Sequence, residues 1–413
     1  MAVMNLSLQR WLESWHLHLF LLIALLSVGV FLYVIHPAGT ILLDFAVYFE
    51  AGQRFANGVS PYTNMYEIRV EGNRHFSLYY FYPPLLAWCM SWFSNLECAN
   101  LKLYWCIASY LAWVAGVVVL SLELHQLSQS NASRLFWIVA SLFLLLCFEP
   151  VYVGTREGQV NGFIFLCLVV YMSTLRRGSL IAGVSLALAT LIKISPGLLI
   201  LIPLCNRQWQ IVLSYVLTGI VLMLLPALAF GSHEILLDFL STLLSLGQGA
   251  LEDHYVYNFA VDIVLTKPFG LDQVWVLRIL LKLIVLFGGI VWWLHARKSC
   301  EGESSFDVAF LLILMVISFP TLWFHHLAWL IFPVLLLLTR RFETREQHYR
   351  YLIYVIGLYF ALSQSFLIHT HARALGHLAV AASGLVPLVC CVTLMGMLYH
   401  LSVPNDRVSD LAC

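Results

Sequence analysis

Apolar runs long enough to form buried or membrane-crossing helices recur along almost the whole chain, at about 19–36, 101–123, 135–149, 159–175, 179–192, 195–205, 208–230, 273–296, 306–321, 323–338, 351–367 and 374–400. A spanning helix needs ~20 mostly apolar residues, and shorter or broken ones occur where protein covers the backbone. The pattern predicts an all-α integral membrane protein of about twelve spans, with both termini on one side of the bilayer. The run Leu85–Leu96 is short and follows Pro83-Pro84, so it is expected to lie on the membrane surface. The main interruption is Leu42–Pro84. Within it Phe45, Tyr48, Gly52 and Phe55 fall at the three-and-four spacing of one helical face, with Asp44 at the start as an expected N-cap and Gly58 at the end. A short amphipathic surface helix is predicted there, inside a first external loop at 37–100; a second external loop is expected at 231–272.

Charge placement orients this threading. With the N-terminus inside, the cytoplasmic ends collect Arg10, Arg134, Arg176, Arg177, Arg207, Arg297, Lys298, Arg340, Arg341, Arg345, Arg350 and Arg407, as the positive-inside rule requires. Asp44, Glu157, Lys193, Asn258, His325 and His326 then fall together on the outer face.

Composition agrees with a membrane protein. Of 413 residues 61% are hydrophobic and 11% charged, against ~25% charged in soluble domains. No polar stretch is long enough for a separate soluble domain, so 1–413 is expected to be one membrane domain. Net charge is zero, which gives no support for a nucleic-acid partner. The ten cysteines are scattered through apolar runs without a CxxC pair, and are expected to be small apolar side chains. The apolar run from Leu19 to Ile35 exceeds the ~7–15 residues of a signal core and is expected to be an uncleaved first span.

Several polar groups have no packing role in such a chain. Asp44 could cap a helix, but it is followed by Tyr48, Glu50, Gln53, Arg54 and Tyr62, a density of polar and aromatic groups suited to gripping a polar ligand. A helix N-terminus would favour its carboxylate, as a base at neutral pH requires. Glu157 falls in a short loop, where it is either a solvated cap or part of a site; Gln159 and Asn161 continue into a span and could hold hydroxyls. Lys193, amid LATLIKISPGLLIL, would cost ~2.5–3.5 kcal/mol near the bilayer centre. It must snorkel, pair, or seat a phosphate where Pro196 breaks the helix. His325-His326 at a span end is an interfacial anchor or a site element. His254, Glu157 and Asp253 could add metal ligands to these, but no HExxH, DxD or Cys pair is present, and no metal is expected. No GxGxxG or P-loop provides for a nucleotide.

Asp44-Phe45-Ala46-Val47-Tyr48, Ala51-Gly52, Gly58, Pro61-Tyr62 and Tyr82-Pro83-Pro84, followed by Glu157-Gly158-Gln159-Val160-Asn161, Lys193-Ile194-Ser195-Pro196 and Trp323-Phe324-His325-His326, resemble the motifs of glycosyltransferase family 87. These are polyprenol-phosphate-mannose-dependent mannosyltransferases of the GT-C membrane glycosyltransferases, and the resemblance spans roughly residues 40 to 340. It implies a GT-C-like bundle, a membrane-embedded polyprenyl-phosphate sugar as co-substrate, a lipid or glycan acceptor, no cofactor, and inversion at the anomeric carbon. In that reading Asp44 is the catalytic base. Arg54, Lys193, His325 and His326 serve the donor phosphate, and Tyr48, Tyr62, Glu157, Gln159, Asn161 and Asn258 hold sugar or acceptor. Relatives tend to carry Asn-Gln-Ser where this chain has Asn258-Phe259-Ala260, which leaves acceptor choice open. The implied location is a cell (inner) membrane with the site facing the external, periplasmic side. A secondary transporter or flippase is the alternative, but it should show repeated halves and a midplane site, and neither is evident.

Overall fold

The protein is described by a computed structural model covering residues 42–70, 74–128, 133–246, 260–266, 269–271, 274–298, 304–318, 322–339, 345–365 and 377–402, together with Leu19. The expected first span at 19–36 and the polar cluster around Asn258 lie outside the described residues, as do His369, His371 and Arg373. What is described is almost wholly helical. A first helix α1 (Leu43–Ala56) leads through a hairpin of β1 (Tyr66–Val70) and β2 (Arg74–Leu78) into α2 (Pro84–Ser91). Then come α3 (Cys98–Leu127), α4 (Arg134–Leu146), α5 (Glu149–Arg156), α6 (Asn161–Leu175) and α7 (Leu180–Ile192). A 3-10 turn Ser195–Ile200 runs into α8 (Leu201–Cys205), followed by α9 (Trp209–Phe230), α10 (Glu234–Leu246), α11 (Val261–Thr266), α12 (Trp275–Arg297) and α13 (Ser304–Ser318). A second 3-10 segment Phe324–Leu330 continues as α14 (Ile331–Leu338), and α15 (Arg345–Ser363) and α16 (His377–Ser402) close the described chain.

Three helices are long and apolar enough to cross a membrane, Asn100–Leu127, Trp209–Phe230 and Trp275–Arg297. Arg134–Leu146 and Glu149–Arg156, bent by 61°, form a fourth if taken as one broken span. Asn161–Leu175, Leu180–Ile192, Ser195–Cys205, Ser304–Ser318, Phe324–Leu338 and Ser383–Tyr399 are shorter apolar helices. The chain is a multi-pass membrane protein whose apolar helices occupy two environments. From Phe306 to Ile317 every side chain of α13 is buried, and Phe324–Leu337 is nearly the same. On α12, by contrast, Leu280, Leu283, Ile284, Phe287 and Val291 are exposed, and α9 exposes Leu213, Leu217, Ile220, Val221, Leu224 and Leu228. Apolar surface of this extent along helices long enough to cross a membrane fits a lipid environment.

The interruption at 42–84 is more ordered than the sequence implies. The expected helix is present as α1, ending in a Schellman motif in which Val59 N–H bonds Arg54 O at 2.9 Å and Gly58 N–H bonds Phe55 O at 3.1 Å. Gly58 takes the left-handed φ of 68° that this motif needs. Two expectations are corrected. The N-cap is Leu42, itself left-handed at φ 39°, with no side-chain cap; Asp44 is the second helical residue, and its carboxylate is not used for capping. The polar stretch after Pro61 is an antiparallel hairpin pairing Tyr66 with Leu78 and Val70 with Arg74, because Tyr, Ile, Val and Phe there suit a pleated surface. The surface helix expected over Leu85–Leu96 is α2, whose eight residues rise only ~12 Å, too few to cross. It packs along α1, where a Cβ on Gly52 would stand 2.7 Å from the Met90 carbonyl carbon. Only glycine permits that approach. In the expected second external loop α10 and α11 are helical, and α10 is tied to the first loop by Ser60 Oγ donating to Asp238 Oδ2 at 2.6 Å.

Candidate functional site

The mouth of α1 is built from two distant pieces of backbone. Asp44 N–H donates to Glu157 O at 3.0 Å and Leu42 N–H to Arg156 O at 3.2 Å, so the first turn of α1 is pinned to the end of α5. The loop between α5 and α6 can lie this close because Gly158 adopts φ 75°. A Cβ there would stand 2.6 Å from Phe45 Cβ. Trp105 Nε1 on α3 donates to Gly158 O at 2.8 Å and closes the junction. Glu157, expected in a short loop as a cap or a site element, is the C-cap of α5 at the start of that loop. The same junction brings Glu157 beside Asp44, although they come from separate loops.

Behind Asp44 lies a buried chain of neutral hydrogen-bonding groups. The Tyr48 hydroxyl donates to the Tyr82 hydroxyl at 2.8 Å, and Gln159 Oε1 lies 3.4 Å from both hydroxyls. With that oxygen accepting from Tyr82, the Gln159 amide N–H groups are left to face Asp44, whose charged form the Gln159 side chain favours. Burial pushes Asp44 up to about 6, with the Gln159 side chain opposing. Burial thus outweighs the helix N-terminus, yet at pH 7 the carboxylate still exceeds the acid about tenfold. Burial and the Asp44 charge push Glu157 up to about 7, with Arg156 opposing. Tyr48 and Tyr82 are raised far above the ordinary phenol value by burial, so both remain neutral donors.

The amine and imidazole side of the site comes from two helix breaks. Lys193 caps α7 in extended conformation, φ −154°, because Pro196 cannot continue a helix. Its Nζ lies 2.6 Å from His326 Nε2, 5.8 Å from the Tyr82 ring centre and 5.6 Å from that of Trp329. His326 Nδ1 accepts from Trp323 N–H at 3.1 Å. His325 crosses His326 edge-on with ring centres 4.5 Å apart, and Asn161 Nδ2 donates to its carbonyl at 3.0 Å. Asn161 Oδ1 is buried without a partner among the described residues. The six residues Asp44, Tyr48, Glu157, Gln159, Asn161 and Lys193 and the His325-His326 pair therefore converge.

Arg54 and Tyr62 do not join them. Arg54 is ten residues along α1 from Asp44, ~15 Å at helical rise, and donates to Asn64 O at 3.1 Å and Met65 O at 3.4 Å while stacking on Tyr66 at 3.9 Å. It organises the turn into the hairpin. Tyr62 donates to Tyr82 O at 2.8 Å and supports the site from behind. Asn258 lies outside the described residues. Tyr82, Trp105 and Trp329 also line the site; Tyr82 is legible in Tyr-Pro-Pro, whereas the two tryptophans look in sequence like ordinary interfacial aromatics. Among the described residues no three His, Cys, Asp or Glu side chains converge as metal ligands would.

Comparison with known proteins bears on this arrangement. The model of glycosyltransferase family 87 matches residues 80–321, which takes in Tyr82, Glu157, Gln159, Asn161 and Lys193. A curated relative, the alpha-(1->3)-arabinofuranosyltransferase of Mycolicibacterium smegmatis (strain ATCC 700084 / mc(2)155), is 27% identical over 198 residues. That match covers 46% of this chain and 43% of the relative, so the chain aligns with less than half of the relative's length.

Proposed function

The chain belongs to glycosyltransferase family 87, and from that premise we propose that it is a membrane glycosyltransferase moving a sugar from a polyprenyl-phosphate donor to a lipid or glycan acceptor at the external face. The observation that carries the reading is the opposition, in one half-buried site, of the Asp44 carboxylate and the Lys193–His326 pair at the ends of apolar helices. A base and a phosphate seat so placed at the membrane surface serve a substrate whose reacting end projects from lipid. The acceptor hydroxyl attacks the anomeric carbon, Asp44 takes its proton, and the C1–O bond to phosphate breaks with its electron pair going to the leaving phosphate. Lys193 and the Nε2–H of His326 face that departing oxygen, where charge grows. Gln159, itself held by the Tyr82 hydroxyl, favours the Asp44 carboxylate, and Asn161 Oδ1 offers an acceptor to a sugar hydroxyl.

The scaffold in this reading is a GT-C-like bundle of about twelve spans with cytoplasmic termini. Asp44 in the role of base implies a single displacement with inversion. Glu157, which comes from another loop, lies beside Asp44 and is, among the described residues, the carboxylate placed to serve a two-step retaining route. Mannose is the sugar implied by the resemblance; the name of the relative supports a second reading, a pentofuranose donor. The test is transfer by the purified protein from short-chain β-linked polyprenyl-phosphate mannose and arabinofuranose, with proton NMR of the product's anomeric centre. Asp44→Asn is expected to lower turnover by ~10²–10⁴ while the protein still folds and inserts. Full activity of that variant, or transfer from a nucleotide sugar alone, would sink the proposal; retention of configuration would move Glu157 into catalysis.

A further inference from the structure

The ring of His326 has a fixed tautomer. Its Nδ1 faces the backbone N–H of Trp323 at 3.1 Å, and a peptide N–H can only donate, so Nδ1 carries a lone pair and the ring proton sits on Nε2. That Nε2–H points at Lys193 Nζ, 2.6 Å away. An ammonium has three donors and no acceptor, so a contact this short is a hydrogen bond only if Lys193 supplies a lone pair. We propose that Lys193 rests as a neutral amine accepting from His326, and becomes an ammonium only when it receives the proton released by the acceptor hydroxyl. The inference rests on the glycosyltransferase reading of this site and adds the destination of the proton.

The step balances. The acceptor O–H bond breaks and its proton passes to the Asp44 carboxylate and on to the Lys193 lone pair, restoring the base. The departing phosphate gains one negative charge as the amine gains one positive charge. The new ammonium turns from His326 toward that phosphate, over the faces of Tyr82 and Trp329, which stand 5.8 and 5.6 Å from Nζ and favour a cation. A fixed cation would also hold the donor's phosphodiester in the ground state; one created during transfer adds its charge only at the transition state and product phosphate. The titratable groups facing Lys193 are Asp44 from α1, Tyr82 from the segment before α2, and His325 and His326 from the 3-10 segment, with Tyr215 of α9 bonded one turn away at Thr190.

The decisive measurement needs no substrate. Full-length protein in lipid nanodiscs is labelled with trace acetic anhydride from pH 6 to 11 and read by peptide mass spectrometry, with exposed Lys298 as reference. Acylation of Lys193 is expected to reach half its plateau ~2 or more pH units below the ordinary lysine value of ~10.4. His326→Phe, which removes the Nε2–H donor, is expected to move that midpoint upward. Labelling of Lys193 in step with Lys298, or none at any pH, overturns the proposal. Calorimetry with farnesyl phosphate at pH 8, in two buffers of different ionisation enthalpy, is expected to show uptake of about one proton by the wild type. Lys193→Arg, whose guanidinium stays charged, is expected to bind without uptake; equal uptake by both proteins overturns the assignment to Lys193. Farnesyl phosphate failing to bind the wild type at all counts against the donor class and leaves the labelling result to decide the amine.

Discussion

Replacing Gln159 by leucine tests how the base is tuned. The Gln159 side chain favours the Asp44 carboxylate, and its Oε1 accepts from Tyr82; leucine keeps much of the volume and removes both functions. A hydrogen bond to a charged group is worth ~1.5–3 kcal/mol, and one pKa unit corresponds to ~1.36 kcal/mol, so the loss is ~1–2 units. The sign follows from which form is bonded. The amide stabilises the charged carboxylate and holds Asp44 down at about 6, so its removal raises the acid to ~7–8. Because the base works only when deprotonated, the acid limb of the kcat profile should move to higher pH by that amount. At pH 6 the working fraction falls from about one half to between ~10% and ~1%, while at pH 9 turnover should return close to wild type. Glu157, at about 7, is mostly protonated at pH 6 and does not reverse this trend. Tyr48 and Tyr82 keep each other as partners at 2.8 Å, so the fold should survive, which a thermal melt would check. The assay is sugar transfer from a short-chain polyprenyl-phosphate donor between pH 5 and 9.5. An unmoved limb, or an equal loss at every pH, would show that Gln159 holds substrate rather than tuning Asp44.

Two further outcomes follow from the junction and from the threading. Gly158→Ala forces a left-handed alanine, ~1–2 kcal/mol, and a methyl group against Phe45, ~1–3 kcal/mol more; the melting temperature should fall and transfer should drop by a larger factor than the stability loss explains, whereas normal turnover would show that the α1 mouth need not be fixed. A cysteine at exposed Asn64 should react with an impermeant thiol reagent in intact cells and one at exposed Arg177 should not, once native cysteines are removed; the reverse pattern would invert the proposed orientation.

The sequence by itself determined the membrane class, the helical content and most helix limits, because ~20-residue apolar runs have no other stable form in lipid. Trp209–Phe230 and Trp275–Arg297 fall within two residues of the runs that predict them. It also determined which residues were candidates, since a carboxylate, an amine and a histidine pair interrupting apolar sequence have few bland uses. Tertiary structure decided everything that depends on neighbours. Hydropathy cannot separate α13, buried from Ser304 to Ile317, from α12, whose apolar side chains are largely exposed, because lipid and protein interior reward the same side chains. The hairpin at Tyr66–Leu78 was hidden because its stability lies in cross-strand pairs. Spacing along α1 could not show that Arg54 would be drawn to the carbonyls of Asn64 and Met65. Nor could any local pattern show that Glu157 O would meet Asp44 N–H, or that Trp323 N–H would fix the His326 ring toward Lys193. Those contacts join segments more than a hundred residues apart or depend on one backbone N–H, and hydrogen bonds of that kind are set by the packed chain.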